Sequence, residues 1–224
     1  MRDDYRHEIK HRISLMDMYC IRQRLSAITT PDPHTIGGKY YIRSLYFDTP
    51  EDKALREKID GVDRREKFRI RYYNDDLNFI RLEKKSKLNG LGTKDMAKLS
   101  KEHAQDIVDG RLEWMLKDDQ ELIRELYAKM KNENLRPKTI VDYTREPFIY
   151  DPGNVRVTLD YDIRTGLSST DFLNRSVPTI PVKESPIILE VKWDGFLPEI
   201  IRQAVQQGAT AGAYSKYAEC RMYD

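Results

Sequence analysis

The run Val155-Arg156-Val157-Thr158-Leu159-Asp160-Tyr161-Asp162-Ile163 changes character at every step. Successive residues of a strand point to opposite faces. Val155, Val157, Leu159 and Tyr161 therefore make one mostly apolar side, and Arg156, Thr158, Asp160 and Asp162 a polar, charged one. The same parity recurs along the chain. Glu8, Lys10 and Arg12 share a face of a first strand, and Arg69 and Arg71 share a face of another. Arg81, Glu83, Lys85 and Lys87 share a third, and Glu190 and Lys192 lie opposite Leu189, Val191 and Trp193. Strands are predicted at residues 5–13, 40–47, 67–73, 78–87, 93–99, 138–143, 154–163 and 187–193. Their short connections, among them a turn at Asn89-Gly90, make most neighbours antiparallel.

Between strands the spacing turns helical. Ser14 with Asp17 reads as a capping box opening a helix to about Ala27, stopped by Pro31-Asp32-Pro33. Met16, Met18, Tyr19, Ile21 and Leu25 form its expected core stripe. Residues 100–134 read as a helical insertion divided at Gly110, packing through Ile107, Leu112, Leu116, Leu122, Ile123 and Leu126. A last helix from about Pro198 to Gln207 ends at Gly208. The fold class is α+β, one large antiparallel sheet with inserted and flanking helices, with residues 1–224 reading as a single domain.

Composition removes several classes of function. The 39 Lys and Arg nearly balance 37 Asp and Glu, and a net charge of +2 argues against a broad nucleic-acid footprint. No run approaches the 18 or so apolar residues of a membrane-spanning helix. No apolar segment of a secretory signal follows Met1, and the two cysteines, Cys20 and Cys220, point to a reducing cytosol. The histidines form no ligand set, neither cysteine has a nucleophile's setting, and Gly37-Gly38 and Gly90-Leu91-Gly92 lack phosphate-loop spacing.

A charged face on one strand needs no explanation beyond water. Repeated Lys and Arg on several strands do need one, because like charges opposed across a ladder destabilise it and burial against an apolar core would be prohibitive. A polyanion resolves both difficulties. The interspersed carboxylates Glu8, Glu83, Asp160, Asp162 and Glu190 are candidates to hold a hard divalent cation. Cations with carboxylates for a metal suit a triphosphate or polyphosphate site.

These residues also carry a resemblance. Glu8-Ile9-Lys10-His11-Arg12 resembles the first-strand signature of the CYTH, or triphosphate tunnel, superfamily, with Arg12 in place of the third motif lysine. Ser44-Leu45-Tyr46-Phe47-Asp48-Thr49-Pro50, Phe68-Arg69-Ile70-Arg71, Leu82-Glu83-Lys84-Lys85 and Tyr143-Thr144-Arg145 are similar to the VTC domain, the polyphosphate polymerase branch. So are Val155-Arg156-Val157-Thr158-Leu159-Asp160, Leu189-Glu190-Val191-Lys192 and Ser215-Lys216-Tyr217. The resemblance implies an eight-stranded antiparallel β-barrel tunnel and transfer of the ATP γ-phosphate to polyphosphate. It implies catalytic phosphate contacts at Lys10, Arg69, Arg71, Lys85, Arg145 and Lys216, and substrate contacts at Arg12, Lys87, Lys94, Arg156, Lys192 and Ser215, with Lys98 an alternative to Lys94. Glu190 and Glu8 match the positions that hold Mn or Mg. The retained Glu8 keeps hydrolysis of tripolyphosphate or a nucleoside triphosphate open beside polymerisation, as is a binding module without turnover. The SPX and membrane segments of the eukaryotic complex have no counterpart in this sequence, and a membrane-protein partner is left open.

Overall fold

Alternation sets the strands, and helices cover their apolar side. The structure, a computed structural model, describes residues 7–88, 91–208 and 211–222. The start expected at Tyr5 for the first strand and the Asn89-Gly90 turn lie outside the described residues. In chain order the elements are β1 (His7–Ile13), α1 (Leu15–Ser26), β2 (Thr30–Pro31), β3 (Tyr40–Asp48), α2 (Lys53–Ile59), β4 (Arg65–Tyr73), β5 (Ile80–Leu88), β6 (Leu91–Leu99), α3 (Lys101–Asp109), α4 (Glu121–Asn132), β7 (Arg136–Tyr150), β8 (Val155–Thr165), β9 (Ile180–Pro181), β10 (Ile187–Trp193), α5 (Glu199–Ala204) and α6 (Lys216–Arg221). Short 3-10 turns occupy Glu113–Lys117 and Pro152–Asn154. Eight strands form one hydrogen-bonded path, β1-β10-β8-β7-β3-β4-β5-β6, with β2 added to β7 and β9 to β8. The registers along it are antiparallel, so the expected α+β class and eight-stranded antiparallel sheet are those observed. No helix among the described residues is long and apolar enough to cross a membrane.

The chain divides into two compact units. The first contains Met1–Tyr41, Tyr143–Ile163 and Pro181–Ser215. Its core joins Val155, Val157 and Leu159 of β8 and Leu189 and Val191 of β10 to Met18, Ile21 and Leu25 of α1 and Ile201 of α5. Ser14 caps α1 through a complete capping box with Asp17. Met16 and Tyr19 are not in the core stripe: they are 70% and 54% exposed, since positions 18, 21 and 25 already define the buried side of the helix. Asp162 also departs from expectation. Its φ of 49° breaks the alternation of β8 and turns it into solvent, away from the face of Arg156, Thr158 and Asp160.

The second unit contains Ile42–Asp142, Arg164–Ile180 and Lys216–Asp224. Leu45 and Phe47 of β3, Phe68 and Ile70 of β4, Leu82 of β5 and Leu99 of β6 pack with Ile107 of α3 and Ile123 and Leu126 of α4. Each such fully buried side chain contributes about 2 kcal/mol of apolar transfer. The helical segment thus has a plain structural task, covering the apolar side of β4, β5 and β6. Gly110 ends α3 with φ 77°. Leu116 is 54% exposed because the following turn is a 3-10 segment that points Met115 inward instead. β7 runs well past its expected end at Tyr143, through Pro147 to Tyr150.

Candidate functional site

In the first unit the register converts sequence parity into rows. Glu8–Lys192–Arg156, Lys10–Glu190–Thr158 and Arg12–Ile188–Asp160 lie side by side across β1, β10 and β8. With the odd-numbered side chains of β8 and β10 committed to the core, these even-numbered ones share the other face. The first two rows form a checkerboard. Lys10 pairs with Glu8 and, at 3.3 Å, with Glu190; Lys192 lies 2.7 Å from Glu190 and 3.3 Å from Glu8. Burial disfavours the Lys10 ammonium, yet Glu190 and Glu8 outweigh it and raise its pKa above the usual lysine range. Glu8 is held below the ordinary carboxylate range: burial and Glu190 oppose its charge, but Lys10 and Lys192 prevail.

Two arginines join this face. Arg145 of β7 makes a bidentate pair with the fully buried Asp160, donating from Nε at 2.6 Å and from an Nη at 2.7 Å. Arg156 donates to Asp32 at 3.1 Å. Arg12 is drawn to the loop residue Glu184 and stays half-exposed, so its expected substrate contact competes with that pair. Ser215 is half-buried just before α6.

In the second unit the charged face of β4, β5 and β6 is denser. Three rows cross it: Arg71–Arg81–Lys98, Arg69–Glu83–Met96 and Lys67–Lys85–Lys94, followed by Arg65–Lys87. Arg69 and Arg71 are only 8% and 3% exposed, which a wet outer strand face would not give. Glu83 gathers the cations. It accepts from Arg69 Nε at 2.7 Å, lies 2.6 Å from Lys94 Nζ and 3.9 Å from Arg71. Burial opposes its charge, but Arg69, Arg71 and Lys94 hold its carboxyl far below the usual range. Burial, with Arg69 and Arg71 nearby, lowers the Lys94 ammonium despite Glu83. Arg71 also donates to Ser44 at 3.0 Å, and Arg69 to the phenol of Tyr46 at 2.8 Å. Lys216 is the first residue of α6.

Of the carboxylates considered for a metal, Glu83 and Asp160 are committed to arginines and Asp162 faces solvent; Glu8 and Glu190 share Lys10 and Lys192, whose ammonium groups a cation would displace. Thr158, opposite Glu190, is 2% exposed and its hydroxyl has no hydrogen-bond partner among the described residues. Two carboxylates and a buried hydroxyl suit a hard cation that completes its shell with water and phosphate oxygens, as Mg does. An all-protein cage does not form: among the described residues no three His, Cys, Asp or Glu side chains gather.

Parity located the cations, but not their partners. Sequence alone does not assign site roles to Tyr46, Asp32 and Thr158, because each is matched to its neighbour by register or by a distant loop. The Ser44–Tyr46 alternation opposite Arg71 and Arg69 was the available signal.

The fold is similar to that of solved structures. A protein of Bacillus halodurans, provisionally named an adenylate cyclase, superposes with a TM-score of 0.52 at 14% identity, over 88% of this chain and 83% of that one. A protein of Pyrococcus horikoshii aligns over 97% of this chain and 96% of its own at 14% identity, with a TM-score of 0.49. At such identity the first likeness shows the fold alone. No curated protein sequence matches the chain. The VTC domain family matches residues 5–223, a span holding both charged faces. The chain therefore belongs to the VTC domain family.

Proposed function

We propose that this protein is a metal-dependent phosphotransferase that moves the terminal phosphoryl group of ATP onto a polyphosphate chain. The observation that carries the reading is the pair of all-cation rows, Arg71–Arg81–Lys98 and Lys67–Lys85–Lys94, flanking the single carboxylate Glu83. Like charges opposed across a ladder favour a bound polyanion, and phosphoryl transfer asks a protein mainly for positioning and charge neutralisation. In the step itself, a terminal oxygen of the chain bonds to the γ-phosphorus while the bond from that phosphorus to the β,γ-bridging oxygen breaks, and ADP leaves. No protein nucleophile is needed. In the second unit Arg69, Arg71, Lys85 and Lys216 orient phosphates and Lys87 and Lys94 extend the contact; in the first, Lys10 and Arg145 orient them, and Arg156, Lys192 and Ser215, with Arg12 once released from Glu184, extend it. Glu190 and Glu8 hold the divalent cation, Mn or Mg, which when bound neutralises phosphate oxygens. Two free cysteines, Cys20 exposed and Cys220 buried, fit a reducing cytoplasmic setting.

A second reading is hydrolysis of tripolyphosphate or a nucleoside triphosphate, with water as acceptor. The retained Glu8 favours it, since the resemblance places there a metal ligand that polymerase members need not keep. Purified protein incubated with ATP and Mn separates the readings. Long polyphosphate supports transfer, free phosphate alone supports hydrolysis, and neither, with retained polyphosphate binding, leaves a binding module. Glu190→Gln should lower turnover by orders of magnitude with the fold intact. Full activity of that variant at limiting Mn would remove Glu190 from the metal role.

A further inference from the structure

Tyr46 lies opposite Arg69 in the β3–β4 register and is 3% exposed. The guanidinium is gripped at two edges: Nε donates to Glu83 at 2.7 Å and Nη1 to the Tyr46 phenol at 2.8 Å. Tyr46 is fixed in turn from behind. Tyr217 of α6 stacks on its ring, centroids 5.1 Å apart and planes 26° from parallel. The Tyr217 hydroxyl donates to Asp48 at 2.5 Å. Asp48, fully buried, also accepts from the backbone N–H groups of Thr49, Ala54 and Leu55 at 2.8, 2.8 and 3.1 Å, which fix the orientation of its carboxylate. At the far end of α6, Arg221 donates to Asp52 at 2.9 Å, which Lys138 also approaches at 3.0 Å. A six-residue helix has little stability of its own, so these ties hold it in place.

A phenylalanine would fill the Tyr46 site equally well, so packing does not explain its hydroxyl. The cations Lys67, Arg69 and Arg71 face it from β4, Glu83 lies beyond Arg69 on β5, and Tyr217 covers it from α6. An arginine recognises phosphate through a planar fork whose orientation decides how many oxygens it meets. Holding that fork before the ligand arrives reduces the ordering cost of binding. We propose that Tyr46 is a positioning residue for Arg69, buttressed by Tyr217, so that the docking of α6 on Asp48 sets how the guanidinium meets bound phosphate. The inference rests on the phosphate reading above. Against burial, the same three cations bring the Tyr46 phenol down to about 8, which gives it a signature of its own.

The test is tripolyphosphate binding by titration calorimetry in the wild type, Tyr46→Phe, Tyr217→Phe, Arg69→Ala and the Tyr46→Phe/Arg69→Ala double variant. Tyr46→Phe should weaken binding about tenfold, the worth of a hydrogen bond to a charged group, and Tyr217→Phe should weaken it less. In the Arg69→Ala background Tyr46→Phe should have no further effect, because a positioning residue acts only through what it positions. On the wild type alone, tripolyphosphate should move the lowest tyrosinate absorbance titration upward by neutralising the cations around Tyr46. Unchanged binding in Tyr46→Phe, additive losses in the double variant, or a tyrosinate titration indifferent to tripolyphosphate would each overturn the proposal while leaving the phosphate reading in place. A wild type that does not bind tripolyphosphate defeats that reading first, and this inference with it.

Discussion

Glu83 is the residue on which the second unit's charged face turns. It is 1% exposed and compensates Arg69, Arg71 and Lys94 together. Removing one member of a buried ion pair leaves uncompensated charge and costs about 3 kcal/mol. Glu83→Gln should therefore lower stability by about that amount at neutral pH, read by urea denaturation, and tripolyphosphate should restore part of it by supplying anionic oxygens. The sign with pH follows from its depressed acidity. A carboxylate whose folded pKa lies below its unfolded value gives stability that is complete above the unfolded carboxylate range and is lost as pH falls toward the folded value. The gap between wild type and Glu83→Gln should thus narrow below about pH 4.5. A gap that stayed constant down to acid pH would show that Glu83 contributes through shape rather than charge. Sequence parity placed Glu83 beside cations, yet it suggested a metal ligand, because parity gives the face and not the cross-strand neighbour.

At the scale of elements, the strongest local signals were short-range ones. Ser14 and Asp17 form their capping box from a four-residue span: the Asp17 N–H donates to Ser14 Oγ at 3.0 Å and the Ser14 N–H to Asp17 at 3.1 Å. Ser14→Ala should cost about 1 kcal/mol by chemical denaturation, with Ser14→Thr close to wild type. Equal stability of Ser14→Ala would mean that packing of Met18, Ile21 and Leu25 alone holds α1. Strand alternation was legible for the same reason, being a period of two written into neighbours. What was not legible depended on distant groups. The strand expected at 138–143 continues as β7 to Tyr150, straight through Pro147. Glu146 just before it is held by Arg22 of α1 at 2.6 Å and by the Tyr161 hydroxyl of β8 at 2.6 Å. Leu116, Met16 and Tyr19 look inward-facing by sequence yet are exposed, because hydrophobicity alone cannot tell which turn of a helix meets the sheet.

For the whole molecule, the cations on its strand faces make stability depend on what is bound. A ligand that binds the folded chain and not the unfolded one stabilises it by about 2.7 kcal/mol at a hundred times its dissociation constant. Thermal denaturation at constant ionic strength should rank tripolyphosphate above pyrophosphate above orthophosphate, since a longer anion meets more of these side chains. No shift with any of them would remove the phosphate reading, and a larger shift with duplex DNA would replace it with a nucleic-acid one. The rows Lys67–Lys85–Lys94 and Arg71–Arg81–Lys98 carry a consequence for anyone improving the protein by selection. In the absence of ligand, neutral substitutions at members of these rows other than Arg71 and Lys94, which Glu83 holds, relieve repulsion and survive heating better. A library sorted for heat resistance alone will therefore enrich variants that have shed their anion affinity, and only sorting with the anion present keeps both traits together.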